Sequence, residues 1–214
     1  MPFPAYKTTF HLMLDNSNKT TGVILSCGLA RRMNYQDKGL IKFNGQPMIS
    51  YAISAMKPIV DRLIINANRN INLYQQFGLP IIRDKTDDYD GPLAGILTAM
   101  EHADTPNLLV IPCDSPLITS YHLQKLLSAL SKQTADVAVA FDGERLHPVF
   151  LAVKTALHAN LKHHLIGNER KVELWIKKQN MITVDFSKNP ECFLNINTLL
   201  ELAELEAGIT AFQK

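Results

Sequence analysis

The sequence predicts a single three-layer α/β domain built on a mostly parallel sheet. Three observations lead there. Short, near-continuous apolar runs recur along the chain, as in strands buried on both faces. Between them lie segments whose apolar residues repeat at helical spacing. The length, 214 residues, suits one large domain with a substantial core.

Residues 1–21, "MPFPAYKTTFHLMLDNSNKTT", read as an N-terminal extension ahead of one domain over 22–214. The extension's apolar patch, Phe10 to Leu14, is short and followed by acidic and amide residues, a poor secretory signal. Val23 to Leu25 opens the sheet. Pro47 in "PMISYAISAM" suits a first helical turn. Leu63 to Ile65 forms the next strand, and "PIIR" ends just before Asp84. Leu93, Ile96, Leu97 and Met100 fall at i, i+3, i+4 and i+7 of a helix that cannot continue through Pro106. The run "NLLVIPCD" at 107–114 is a buried strand. Leu123, Leu126, Leu127 and Leu130 repeat the helical spacing after Thr119 or Ser120, either one a good N-cap. "DVAVAF" at 136–141 and "HPVFLAV" at 147–153 are further strands, and Trp175 reads as a core residue on a helix face.

Composition excludes several classes. Apolar residues make up 46% and charged residues 20%, ordinary for a soluble globular protein. A net charge of +2, without a basic run, points away from nucleic acid as a partner. No apolar run approaches the roughly 20 residues that cross a bilayer, so no membrane is expected. The three cysteines, Cys27, Cys113 and Cys192, lie far apart without CxxC pairing, which argues against a disulfide framework or structural zinc and for the reducing cytosol. Adjacent His163 and His164 would point to different sides of a helix, a poor metal pair.

In open parallel sheets ligands bind beyond the carboxyl ends of the strands. The polar residues that follow strands here are Arg31, Arg32 and Lys38 after the first, Asn66, Asn68 and Arg69 after "LII", Asp84 after "PIIR" and Asp114 after "LLVIPC". Such a set suits a nucleoside triphosphate. Turn N–H groups, Arg and Lys can hold its phosphates. Asp114 is a hard oxygen ligand suited to Mg²⁺. Asn66 and Asp84 offer the acceptors that guanine's N1–H and N2–H₂ donors require.

The loop is neither a Walker A sequence nor a GxGxxG fingerprint. Instead "LSCGLARRMNYQDKGL" resembles the LAGGxSxRMGxDK signature of small nucleotidylyltransferases. With "INANR", "GPLAGIL", "IPCDSP", "DGERLHP", "GNERKV" and "FLNINT" following in order, residues 22–205 resemble the molybdenum cofactor guanylyltransferases, the MobA family. That resemblance implies a Rossmann-like nucleotidylyltransferase fold that binds GTP and Mg²⁺ and transfers GMP to the terminal phosphate of molybdopterin, releasing pyrophosphate. It also implies that Leu25, Ser26 and Cys27 lie against the nucleotide, with Lys38 and Arg32 at its phosphates. Asn66 and Asp84 would face the guanosine, and Asp114 would hold the magnesium. His147, Arg170, Lys171, Asn195 and Asn197 fall on the pterin side. Molybdenum-insertion proteins and molybdoenzyme apoproteins would be further partners.

Two departures stand out. The usual Ala-Gly-Gly is Ser26-Cys27-Gly28 here, and the usual Gly after Arg-Met is Asn34. A Cβ at residue 27 would be costly if a left-handed backbone were required there, whereas Asn tolerates that region. A thiolate at Cys27, favoured by Arg31 and Arg32, would make the site redox-sensitive. Two rival functions follow: a CTP-dependent transferase acting on molybdopterin or another phosphate acceptor, and a non-catalytic nucleotide or cofactor carrier. The presence of both Lys38 and Asp114 argues against the carrier.

Overall fold

The computed structural model describes residues 18–27, 36–85, 91–132 and 134–212. In chain order the elements are β1 (Thr20–Leu25), a hairpin of β2 (Lys42–Phe43) and β3 (Gln46–Pro47), α1 (Met48–Met56), β4 (Arg62–Asn66), α2 (Ile71–Tyr74) and β5 (Ile81–Ile82). There follow α3 (Pro92–His102), β6 (Asn107–Pro112), α4 (Ser120–Lys132), β7 (Val137–Phe141) and β8 (Leu146–Lys154). The chain continues through α5 (His158–Ile166), α6 (Val172–Ile176), β9 (Met181–Asp185) and α7 (Leu199–Phe212). Short 3₁₀ turns occur at Lys38–Leu40 and Pro190–Phe193.

Seven strands form the central sheet in the order β5-β4-β1-β6-β8-β7-β9. β1 lies parallel between β4 and β6, β5 pairs in parallel with β4 and β9 with β7, while β8 runs antiparallel to both β6 and β7. The apolar runs split by the two-residue strand period onto both faces, as expected. Ile24, Ile65, Leu109 and Ile111 pack with α1 and α4 on one side. Val23, Ile64, Leu108 and Val110 pack with α3, α5 and α6 on the other. All three layers are present.

Leu93, Ile96 and Met100 are buried on α3, and Leu123, Leu126, Leu127 and Leu130 on α4. Trp175 is fully buried in α6, with its indole N–H donating to Asn160 Oδ1 at 2.9 Å. Some details differ from the sequence reading. β1 begins at Thr20, since the buried Thr20 and Thr21 join the ladder before Gly22. Pro47 stands at the N-cap of α1 and closes the hairpin rather than filling the first helical turn. That hairpin turns through Asn44 and Gly45, at φ of 46° and 79°, the pairing that a type I′ turn demands. Its Phe43, with Met48 at the start of α1, packs with Ile196 and with Leu202 and Leu205 of α7. β9 escaped the sequence reading because it is an edge strand without a fully buried face.

Candidate active site

The register of the sheet brings the ends of three strands side by side. Leu25 stands opposite both Asn66 and Pro112, so the residues following β1, β4 and β6 share one edge. Two backbone bonds extend the ladder past the strands, Ser26 N to Asn66 O at 2.8 Å and Cys113 N to Leu25 O at 3.1 Å. Ser26 is thereby buried in the turn. Leu25 packs toward Gly95 of α3, where an added Cβ would collide with Asn66 Oδ1. That close approach explains the second glycine of "GPLAGIL".

Asn66 is fully buried. Its Nδ2 donates to Asp84 Oδ1 at 2.9 Å, and its Oδ1 accepts from the Cys27 thiol at 2.9 Å. Asp84 is held further by Asn68 Nδ2, at 2.8 Å from Oδ2, and by the Thr98 hydroxyl, at 3.3 Å from Oδ1. The expected pair Asn66 and Asp84 is therefore one hydrogen-bonded unit, with the amide orienting the carboxylate.

Cys27 fits this unit without strain. The non-glycine residues with positive φ among those described are Asn44, Asn70 and Asn168, so Cys27 does not need the left-handed backbone that a glycine would supply. The thiolate reading is corrected here: burial pushes the Cys27 thiol well above its ordinary pKa, and the Asp84 carboxylate adds to the rise. Arg31, Arg32 and Asn34 lie outside the described residues.

Across the edge, Lys38 lies in the 3₁₀ turn Lys38–Leu40. Its ammonium donates to Asp114 Oδ2 at 2.7 Å and to Asn197 Oδ1 at 2.6 Å. An ammonium carries three N–H donors, so one is left for an anion. Asp114 is buried, and among the described residues its Oδ1 has no hydrogen-bond partner. Isolated oxygens of this kind are costly in a folded core. A hard divalent cation needs such an oxygen, with phosphate and water completing its shell. The carboxylate therefore fits Mg²⁺.

Of the later-motif residues, the fold brings Asn197 to Lys38 and Asn195 to Ser115, beside Asp114. The Ser115 hydroxyl donates to Asn195 Oδ1, and Ile196 N donates to Asp114 O at 3.1 Å. His147 sits at the same sheet edge, but its ring is enclosed: Nε2–H donates to Asp142 Oδ2 at 2.6 Å and Phe193 stacks on it at 4.3 Å. Arg170 and Lys171 are exposed between α5 and α6. Arg170 lines an open cavity of about 380 Å³ with Lys85, Thr98, Glu101 and Lys162.

Two supporting residues were missed in the sequence. Asp37 is buried directly before Lys38, accepting from the Tyr74 hydroxyl at 2.5 Å and Asn70 Nδ2 at 3.0 Å, with Arg69 Nε at 3.6 Å. It is the Asp of the "DK" that closes the quoted signature, which marks its presence and not its partners. Glu201 was readable, because "TLLE" at 198–201 is a capping-box pattern. Its carboxylate accepts from Asn197 N at 2.6 Å and Thr198 N at 3.1 Å.

Both the sequence and the fold have known relatives. The model of the MobA-like NTP transferase domain matches residues 22–181. A molybdenum cofactor guanylyltransferase of Shewanella loihica is 44% identical over 193 residues, covering 90% of this chain and 98% of the relative. Another, of Shewanella sediminis, is 45% identical over 187 residues, covering 87% and 95%. A crystal structure of molybdopterin-guanine dinucleotide biosynthesis protein A from Archaeoglobus fulgidus superposes with a TM-score of 0.76 at 19% identity, covering 90% of this chain and 99% of that one. A CMP:2-keto-3-deoxy-manno-octonic acid synthetase complexed with CTP shares the fold at a TM-score of 0.69 and 13% identity, over 90% and 99% of the two chains. The motif order, the nucleotidyltransferase fold and the near full-length relatives converge: the chain belongs to the family of MobA-like NTP transferases.

Proposed function

We propose that this chain transfers GMP from GTP to the terminal phosphate of molybdopterin, releasing pyrophosphate and forming the guanine dinucleotide cofactor. The observation that carries the reading is the Lys38–Asp114–Asn197 constellation on the same sheet edge as the Asn66–Asp84 unit. It pairs a phosphate cation and an open buried carboxylate oxygen with an acceptor group able to select guanine. The relatives named molybdenum cofactor guanylyltransferase support the choice of both substrates.

The acceptor phosphate brings its own nucleophilic oxygen. A new bond from it to the α-phosphorus forms as the bond to pyrophosphate breaks, and no proton need be removed. The residues must then align the two phosphates and neutralise charge. Lys38 meets the triphosphate oxygens with its remaining N–H, and Arg32, earlier in the same motif, assists. Leu25, Ser26 and Cys27 form the floor against the nucleoside, while Asp84, oriented by Asn66, accepts from the base. Asp114 would hold Mg²⁺, which when bound supplies charge neutralisation between the phosphates. Arg170, Lys171 and Asn195 are the acceptor-side groups. The reaction belongs to the reducing cytosol, where Cys27, Cys113 and Cys192 persist as free thiols.

Thermal stabilisation by GTP, CTP and ATP, each with and without Mg²⁺, tests the reading. A ligand at 100 times its Kd adds about 2.7 kcal/mol. The expected result is a Mg²⁺-dependent shift with GTP, followed by pyrophosphate release when molybdopterin is added. A preference for CTP would move the protein to a cytidylyl transferase, and binding without turnover would make it a carrier.

A further inference from the structure

The segment 194–198 between the 3₁₀ turn at Pro190–Phe193 and α7 is neither helix nor strand, yet it supplies the partners of Lys38 and Ser115. Leu194 is 41% exposed, so the segment's own packing rests on the buried Ile196. Glu201 holds its downstream end through Asn197 N and Thr198 N, and its upstream end needs a support of its own.

That support is an aromatic box at its start. Phe193 is buried, with Phe150 and Phe186 edge-on to it at 4.9 and 5.0 Å. Its remaining flat neighbour is the His147 imidazole, stacked at 4.3 Å with 20° between the planes. The imidazole is fixed in turn by Asp142, whose Oδ1 accepts from Glu144 N and Arg145 N, both at 2.8 Å, while Oδ2 accepts from His147. A carboxylate locked in its own turn thus orients a ring, and the ring backs Phe193. From Phe193 the chain runs directly to Ile196 N on Asp114 O, to Asn195 on Ser115, and to Asn197 on Lys38.

We infer that His147 and Phe193 are positioning residues for the nucleotide half of the site: the imidazole, aimed by Asp142, buttresses Phe193 and so seats Asn195–Asn197 against Asp114 and Lys38. The inference rests on the reading of Lys38 as the phosphate ligand. It assigns His147 to nucleotide binding at one remove, where the family resemblance alone implies the pterin side. With its ring face covered by Phe193 and Nε2 committed to Asp142, the side chain acts through its neighbours.

The test measures GTP affinity by calorimetry with Mg²⁺ and without any acceptor, on the wild type, His147→Ala, His147→Phe and Phe193→Leu. Amide hydrogen exchange at Ile196 is followed in the same proteins without nucleotide. Loss of the stack in His147→Ala should weaken GTP binding about two- to tenfold, the worth of one aromatic pair, and speed exchange at Ile196. His147→Phe keeps a flat ring and should recover both. Phe193→Leu keeps apolar volume but loses the flat face, and should resemble His147→Ala even if that variant proves unstable. Unchanged GTP affinity and exchange in both His147→Ala and Phe193→Leu would overturn the inference. Steady-state turnover of the same variants is measured alongside, and a rise confined to the acceptor's KM would also overturn it, since that marks direct contact. If the wild type fails to bind GTP, the guanylyl reading falls, and the Ile196 exchange alone still decides whether the box seats the segment.

Discussion

The two edges of the central sheet both carry buried polar residues, but their hydrogen bonding differs. At the amino edge, Thr21 and Thr105 share a hydrogen bond at 2.8 Å, and Thr105 Oγ1 reaches Asn107 O at 2.9 Å. Asn107 donates to Lys19 O at 3.0 Å and accepts from Lys154 Nζ at 2.9 Å, and Thr155 donates to Thr105 O at 2.9 Å. Among the described residues, no buried side-chain atom of this network is left without a partner. At the carboxyl edge the network is just as dense around Asn66 and Asp84, yet among the described residues Asp114 Oδ1 is left without a partner and Lys38 keeps a donor in reserve. A closed buried network specifies structure, while an open one with charge on both sides is poised for a ligand.

That contrast can be broken from either side. The largest effect belongs to Lys38→Ala, expected to lower the rate of pyrophosphate release about 10²- to 10³-fold, as when one oriented transition-state donor is removed. Next, Asp114→Asn should abolish the Mg²⁺ dependence of GTP-induced thermal stabilisation. It should also slow turnover by about a hundredfold or more, since a bound cation supplies several kcal/mol of charge stabilisation. At the opposite edge, Thr105→Val should cost about 1–3 kcal/mol in urea unfolding, because it leaves the Thr21 hydroxyl buried without its partner. Turnover by that variant should match the wild type. An activity loss in Thr105→Val, with stability intact, would erase the distinction between the edges.

The smallest effect concerns the thiols. Burial raises the pKa values of Cys27 and Cys113, and it pushes Cys192 up to about 12. A thiol whose folded pKa exceeds its unfolded value of about 8.5 contributes stability that is full below that pH and declines as pH rises above it. The melting temperature should therefore hold from pH 7 to 8 and fall by pH 10, and Cys113→Ala should make the fall shallower.

Much of the carboxyl edge was legible because strand patterning places post-strand residues together. Val23 to Leu25, Leu63 to Ile65 and the run at 107–114 are apolar enough to be strands, and Lys38, Asn66, Asp84 and Asp114 follow from their ends. Partnership was less legible. No spacing rule says that Cys27 donates to Asn66, or that Asn66 is spent on Asp84, because these bonds depend on register and side-chain direction. His147 shows the same limit: the motif marks its presence, but only packing against Phe193 and Asp142 shows what it touches. The reversal of β8 likewise reflects competition among strands for neighbours, which a local pattern does not encode.

The bond between Lys38 and Asn197 spans 159 residues of sequence. During synthesis on a ribosome, strands β1, β4, β5 and β6 can begin to pair while Lys38 still lacks that partner, and Glu201, which holds Asn197, arrives later still. Domains generally fold as units, and contacts of long separation must meet the entropy of closing the intervening loop. Lys38 of a nascent chain is therefore left half-tethered until nearly the whole domain has emerged. Nucleotide capture becomes a late event, reserved for chains that have completed their fold.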